Sequence, residues 1–138
     1  MQTKLNPYIS FKSNARDAMT FYKSVFGGKL TLRTFKEFNA AQVPAEDNLI
    51  MHAELDADDG LVFMASDTPQ RMEYQPGTNI SMSLTGENEE QLKTYFKKLS
   101  TGGKVSMPLK KEVWGDTFGM CTDQFGINWM VNISAPKA

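Results

Sequence analysis

A chain of 138 residues is long enough to bury about two-thirds of the surface its unfolded form exposes, so neither a disulfide nor a metal is needed to hold it together. Fifteen basic against sixteen acidic side chains give a formal charge of −1, which leaves no cationic stripe for a nucleic-acid backbone. The lone Cys121 cannot close an internal bridge, no apolar run nears the ~20 residues of a membrane span, and the N-terminus lacks the apolar core of a signal peptide. The expectation is a cytoplasmic protein with neither a nucleic-acid nor a membrane partner.

In chain order, residues 5–11 (LNPYISF) alternate, with Leu5, Pro7, Ile9 and Phe11 on one side and Asn6, Tyr8 and Ser10 on the other, the pattern of a half-buried strand. Residues 14–29 (NARDAMTFYKSVFGGK) place Ala15, Ala18, Met19, Tyr22, Val25 and Phe26 on one helical stripe. Asn14 stands at the N-cap position with Asp17 three residues on, and a glycine pair stands at the C-cap. Period two returns over 30–35; residues 36–48 show no pattern. Residues 49–55 and 61–66 form a predicted hairpin closed by Asp58-Asp59-Gly60.

The segment 68–77, holding Pro69, Pro76 and Gly77, is a predicted linker, and beyond it the pattern repeats. Residues 79–84 alternate, with Asn79, Ser81 and Ser83 opposite Ile80, Met82 and Leu84. Residues 88–104 (NEEQLKTYFKKLSTGGK) answer to the first helix, Asn88 to Asn14, Tyr95 to Phe21 and Phe96 to Tyr22, ending in the same Gly-Gly-Lys after one inserted residue. Strands over 105–109, 119–122 and 127–133 complete the second copy, and aligning Gly60 with Gly126 sets Met64 opposite Met130. The prediction is an α+β chain of two βαβββ modules, residues 1–67 and 78–134, forming a curved, mostly antiparallel sheet with the helices on its outer face. The polar rows then line a concave cleft: Asn6, Tyr8 and Ser10; Ile50, His52 and Glu54; Asn79, Ser81 and Ser83; Asn128, Met130 and Asn132. The opposite phase sends Met51, Ala53 and Leu55 beneath the first helix, and Trp129 into the core.

Paired βαβββ modules in a small acidic domain resemble the vicinal oxygen chelate superfamily, the glyoxalase, extradiol dioxygenase and bleomycin-resistance fold. The strings NPYISF with NARDAMTFY, then MHAEL, VFMASD and VWGDTFGMCTDQFGINWM, resemble its PhnB-like group and cover nearly the whole chain as a single such domain. The resemblance implies a homodimer. It also implies a divalent metal held by four residues from the first and last strands of each module, usually His, Gln or Glu. Here those positions read Asn6 (Pro7 with a one-residue slip), Met64, Asn79 and Met130. Two amides and two thioethers offer neither charge nor imidazole to offset dehydration of a divalent cation, so no metal and no cofactor is expected. Relatives of this type are often labelled ubiquinone-pathway methyltransferases, yet no glycine-rich strand-to-helix turn for a methyl donor occurs here.

His52, the sole histidine, lies two residues from Glu54 on one strand face, about 7 Å apart. This tentative catalytic pair is suited to acid–base work, or to a solvent-contacting or structural hydrogen-bonded role. Candidate ligand-binding residues are Asn6, Tyr8, Met64, Asn79, Ser81, Trp114, Asn128 and Met130. Trp114 walls a pocket or lids the core; Met64 and Met130 floor an apolar site or fill a vacated metal site. Cys121 has no histidine near it in sequence. Three readings stay open: a small-molecule binder with a degenerate metal site, a metal-independent enzyme (a lyase, isomerase or similar) using His52, and a metal-dependent enzyme whose ligands lie elsewhere.

Overall fold

The computed structural model describes residues 3–136, and the chain divides into two compact units, Met1–Pro76 and Gly77–Ala138, the break falling within the expected linker. The first unit runs β1 (Tyr8–Phe11), α1 (Ala15–Phe26), β2 (Lys29–Thr34), β3 (Ile50–Asp56) and β4 (Val62–Asp67). The second runs β5 (Met82–Gly86), α2 (Glu89–Ser100), β6 (Lys104–Lys111), β7 (Thr117–Thr122) and β8 (Asn128–Ile133). Each unit is one mixed four-stranded sheet, ordered β1-β4-β3-β2 and β5-β8-β7-β6. In both, the first strand runs parallel to the last and the remaining pairs are antiparallel.

Helix packing follows the sequence stripe. The buried residues of α1 are Ala15, Ala18, Met19, Tyr22, Val25 and Phe26, the set the spacing predicts. They pack on β3 and β4, where Ala53, Leu55, Phe63 and Ala65 are nearly inaccessible. Tyr22 and Phe26 approach Phe63 edge-on, with centroids 5.5 and 6.0 Å away. Such contacts contribute about 0.5–1.5 kcal/mol each beyond the area they bury. In the second unit Leu92, Tyr95, Phe96 and Leu99 of α2 cover Leu84, Cys121, Trp129 and Val131.

The two helix starts differ. Asn88 caps α2 as expected, its Oδ1 accepting from the Gln91 N–H at 3.0 Å. Asn14 makes no side-chain cap. The buried Asp67, at the end of β4, takes its place: Oδ1 accepts from Ala15 N–H at 2.9 Å and Oδ2 from Ile50 N–H at 2.8 Å. One carboxylate thereby ties the start of α1 to the start of β3. At the other ends Gly27 caps α1 with φ 73°, whereas α2 ends on Thr101, the inserted residue, and Gly102 takes the positive φ of 79°.

Three strand expectations need correction. The first strand starts at Tyr8, so Leu5 and Pro7 stay exposed and the buried row is Ile9 and Phe11 alone. Likewise β5 starts at Met82, leaving Asn79, Ile80 and Ser81 outside it, with Ile80 79% exposed. At the N-terminal end of β3 a bulge intervenes: Arg33 faces His52, but the next residue, Thr34, faces Ile50. The extra residue reverses the alternation there, burying Ile50 and exposing Met51, against the sequence phase.

The loop before β3 is pinned by Glu46, a buried side chain whose Oε1 accepts from Gln42 N–H at 3.0 Å and Oε2 from Gln70 N–H at 2.8 Å. The Gln70 bond, then the Gln42 bond, hold its carboxyl below the usual range; burial opposes them and the Arg71 charge assists. A carboxyl whose pKa is depressed on folding stabilises above its unfolded value and loses that contribution as pH falls through the folded one. The thermal midpoint of the wild type should therefore fall more steeply below about pH 4.3 than that of Glu46→Gln. Parallel acid limbs in a calorimetric pH series would refute this.

Candidate functional site

In the first unit, strand register sorts the side chains of the face opposite α1. Tyr8 pairs with Met64, Met64 with Glu54, and Glu54 with Thr31, one row across all four strands. Ser10 lies opposite Ser66, and His52 opposite Arg33. Cross-strand partners share a face, so these residues form one polar surface with Met64 at its centre. His52 is half-buried, and its partner is the Tyr8 hydroxyl, 3.4 Å from Nδ1, with ring centroids 5.9 Å apart. Glu54 occupies the same face but stands exposed in the adjacent row. Tyr8, rather than Glu54, thus orients the imidazole. Arg33 and Thr31, which sequence reading passed over, were within reach of it: alternation over 30–35 sets them opposite Leu30 and Leu32.

In the second unit, the face opposite α2 carries Ser83 opposite Met130, Met130 opposite Met120, and Met120 opposite Met107. Thr122 Oγ1 donates to Asn128 Oδ1 at 2.7 Å, and Asn132 Nδ2 donates to Asp116 Oδ2 at 3.0 Å. The Asn132 bond, followed by one from Ala135 N–H and one from the Trp114 side chain, lowers the Asp116 carboxyl against the opposing effect of burial. Trp114 is 60% exposed in the loop before β7, so it does not lid the core. Trp129, in contrast, is buried, and its Nε1–H donates to Asp123 Oδ2 at 2.8 Å.

Matching the pairings Tyr8–Met64 and Ser83–Met130 makes Ser83 the counterpart of Tyr8, so the predicted equivalence of Asn6 with Asn79 is off by two residues. Both asparagines precede their strands. The donors neighbouring Met64 and Met130 are therefore a phenol and a serine hydroxyl. Phenol, hydroxyl and two neutral thioethers do not fit a hard or borderline divalent cation. Among the described residues, no group of three or more His, Cys, Asp or Glu side chains is placed to hold one. Cys121 faces the core; burial, and then the Asp123 charge, push its thiol up to about 11, which makes it a poor nucleophile. Two open surface grooves occur in the first unit, of about 200 Å³ at Gln42, Glu46 and Arg71 and about 350 Å³ at Lys12, Met72 and Tyr74. Neither includes a sequence-predicted site residue.

Comparison with known proteins agrees with this architecture. The model of the Glyoxalase/Bleomycin resistance protein/Dioxygenase superfamily matches residues 4–131. The chain is 30% identical to protein YjdN of Escherichia coli over 94% of each sequence. The crystal structure of protein PA1353 from Pseudomonas aeruginosa is 34% identical and superposes with a TM-score of 0.81, over 98% of this chain and all of that one. A PhnB protein from Bacillus cereus, which bears a provisional 3-demethylubiquinone-9 3-methyltransferase name, is 26% identical, with a TM-score of 0.76 over 96% of this chain and 100% of its own. Two βαβββ units, a family match over nearly the full length and these relatives lead to one conclusion: the chain belongs to the glyoxalase/bleomycin resistance/dioxygenase superfamily and is PhnB-like.

Proposed function

We propose that this chain binds a small organic molecule on the sheet face its helices leave free, and that its metal site is degenerate. The observation that carries the reading is the row Tyr8–Met64–Glu54 across the first sheet. Hydrogen-bonding groups there surround an adaptable thioether, a combination suited to a ligand with polar substituents on an apolar or aromatic body. Met130 beside Asn128 in the second unit has the same character. In a thermal-shift screen of small aromatic and heteroaromatic compounds, a ligand at 100 times its Kd should stabilise the wild type by about 2.7 kcal/mol. Met64→Lys should abolish the shift, and a chelator should leave it unchanged. Chelator-sensitive binding, or purification with one divalent metal per chain, would sink the proposal.

A second reading, a metal-independent enzyme, is favoured by one specific contact, the Tyr8 hydroxyl at His52 Nδ1, which fixes the ring for proton transfer. His52→Ala separates the two: a binder keeps its affinity within about twofold, whereas an enzyme loses most turnover, on the order of 10²–10⁴-fold. The homodimer belongs to the proposal as well; sedimentation should give twice the 15.5 kDa chain mass.

A further inference from the structure

The second unit aligns three thioethers, and two of them, Met107 and Met120, have no part in the proposed organic-ligand site. Met107, Met120 and Met130 pair in register across β6, β7 and β8, so their side chains leave the same face side by side. The alignment depends on an irregularity. Val105 faces Cys121, so regular alternation would set Ser106 opposite Met120; a bulge sets Met107 there instead, and a second bulge follows before Lys110 faces Phe118. Bulges re-aim side chains, and this pair brings a methionine into the row on a largely exposed edge strand.

We propose that this row is a site for one soft monovalent metal ion of the cuprous class, coordinated by the sulfurs of Met107, Met120 and Met130. Neighbouring strands lie about 4.8 Å apart, which puts the outer methionines about 10 Å from each other with Met120 midway. Three rotatable bonds let each outer side chain lean over Met120 so that three sulfurs converge on one point above the sheet. Thioethers are neutral and soft. They fail a divalent ion, whose dehydration calls for anionic or imidazole donors, but suit a monovalent ion that is weakly hydrated and prefers sulfur. The ion has access, since Met107 is 42% exposed and Met120 and Met130 are half-buried. Ser83 extends the row and Phe118 and Thr122 flank Met120, so among the described residues no carboxylate lies in this row or beside Met120 on β7. Cys121 points to the opposite, buried face and does not compete.

Silver ion is the probe, being the air-stable analogue of the cuprous ion. Titrated into the full chain in chloride-free buffer and followed by native mass spectrometry and calorimetry, it should bind one per chain. Met120→Leu should weaken binding at least tenfold, and the Met107→Leu/Met120→Leu/Met130→Leu triple variant should lose it. His52→Ala and Cys121→Ser should bind as the wild type does. Met-to-Leu exchange nearly conserves volume, and an unchanged thermal midpoint verifies that the variants fold. The site is refuted if silver does not bind stoichiometrically, if Met120→Leu binds as tightly as its parent, or if His52→Ala or Cys121→Ser removes the ion. The organic-ligand screen, run with chelator and without silver, fails or succeeds independently of these results.

Discussion

Replacing Asp67 by alanine should destabilise the protein by about 2–6 kcal/mol, the largest loss expected of any single polar truncation in the first unit. The side chain is 3% exposed and accepts from two backbone donors, Ala15 N–H and Ile50 N–H. Once it is gone, both donors stay buried without a partner, and each forfeits about 1–3 kcal/mol of solvation. The bonds also join two elements distant in sequence, so their loss loosens α1 against β3 as well as fraying the helix. Asp67→Asn keeps one oxygen acceptor and should lose about half as much. Asn14→Ala, at the position where sequence alone puts the cap, should stay within about 0.5 kcal/mol of wild type. Asn88→Ala removes a true cap and should cost about 1 kcal/mol. Urea denaturation of the four variants decides the matter: an Asn14→Ala loss equal to that of Asp67→Ala would show that the assignment of the cap is wrong.

Gly28→Ala and Gly103→Ala should each cost about 3 kcal/mol or more, because the second glycine of each repeated pair is where the chain crosses the end of its own sheet. A Cβ on Gly28 would press on the Asp56 carbonyl and lie 2.5 Å from Ala57 Cα; one on Gly103 would press on the Thr122 carbonyl and lie 2.8 Å from Asp123 C. Those neighbours are backbone, which cannot rotate away as a side-chain end can. Gly28 adds a φ of +88°, whereas Gly103 carries no such conformational demand and isolates the steric cost. Gly60 and Gly126 are the controls: both have positive φ with nothing within 4 Å of the added methyl, so alanine there should cost only about 1–2 kcal/mol. If all four substitutions cost the same in chemical denaturation, close approach is not what the paired glycines serve.

Much of the candidate site could be read from alternation, and the failures are local. Tyr8, Glu54, His52, Met64 and Met130 lie on the face that period two assigned them, because a half-buried sheet face imposes its phase on every regular strand. Alternation does not reveal where a strand begins, so Leu5 and Ile80 were assigned to strands that start further on. Nor does it reveal a bulge, an extra residue in one strand that registers only against its partner; hence Met51 and Ile50 exchanged faces, and the place of Met107 opposite Met120 was invisible.

By itself the sequence determined what depends on spacing along one chain segment: the two helices and their buried stripes, the repeat that makes two βαβββ modules, and the superfamily. Tertiary structure decided what depends on residues far apart meeting. Asp67 caps a helix that begins 52 residues before it, Tyr8 reaches across β4 to His52, and the pairing of Ser83 with Met130 identifies the true counterpart of Tyr8. Hydrogen bonds and cross-strand contacts act over a few ångströms of space and are indifferent to sequence separation, so they exist only once the sheets have formed.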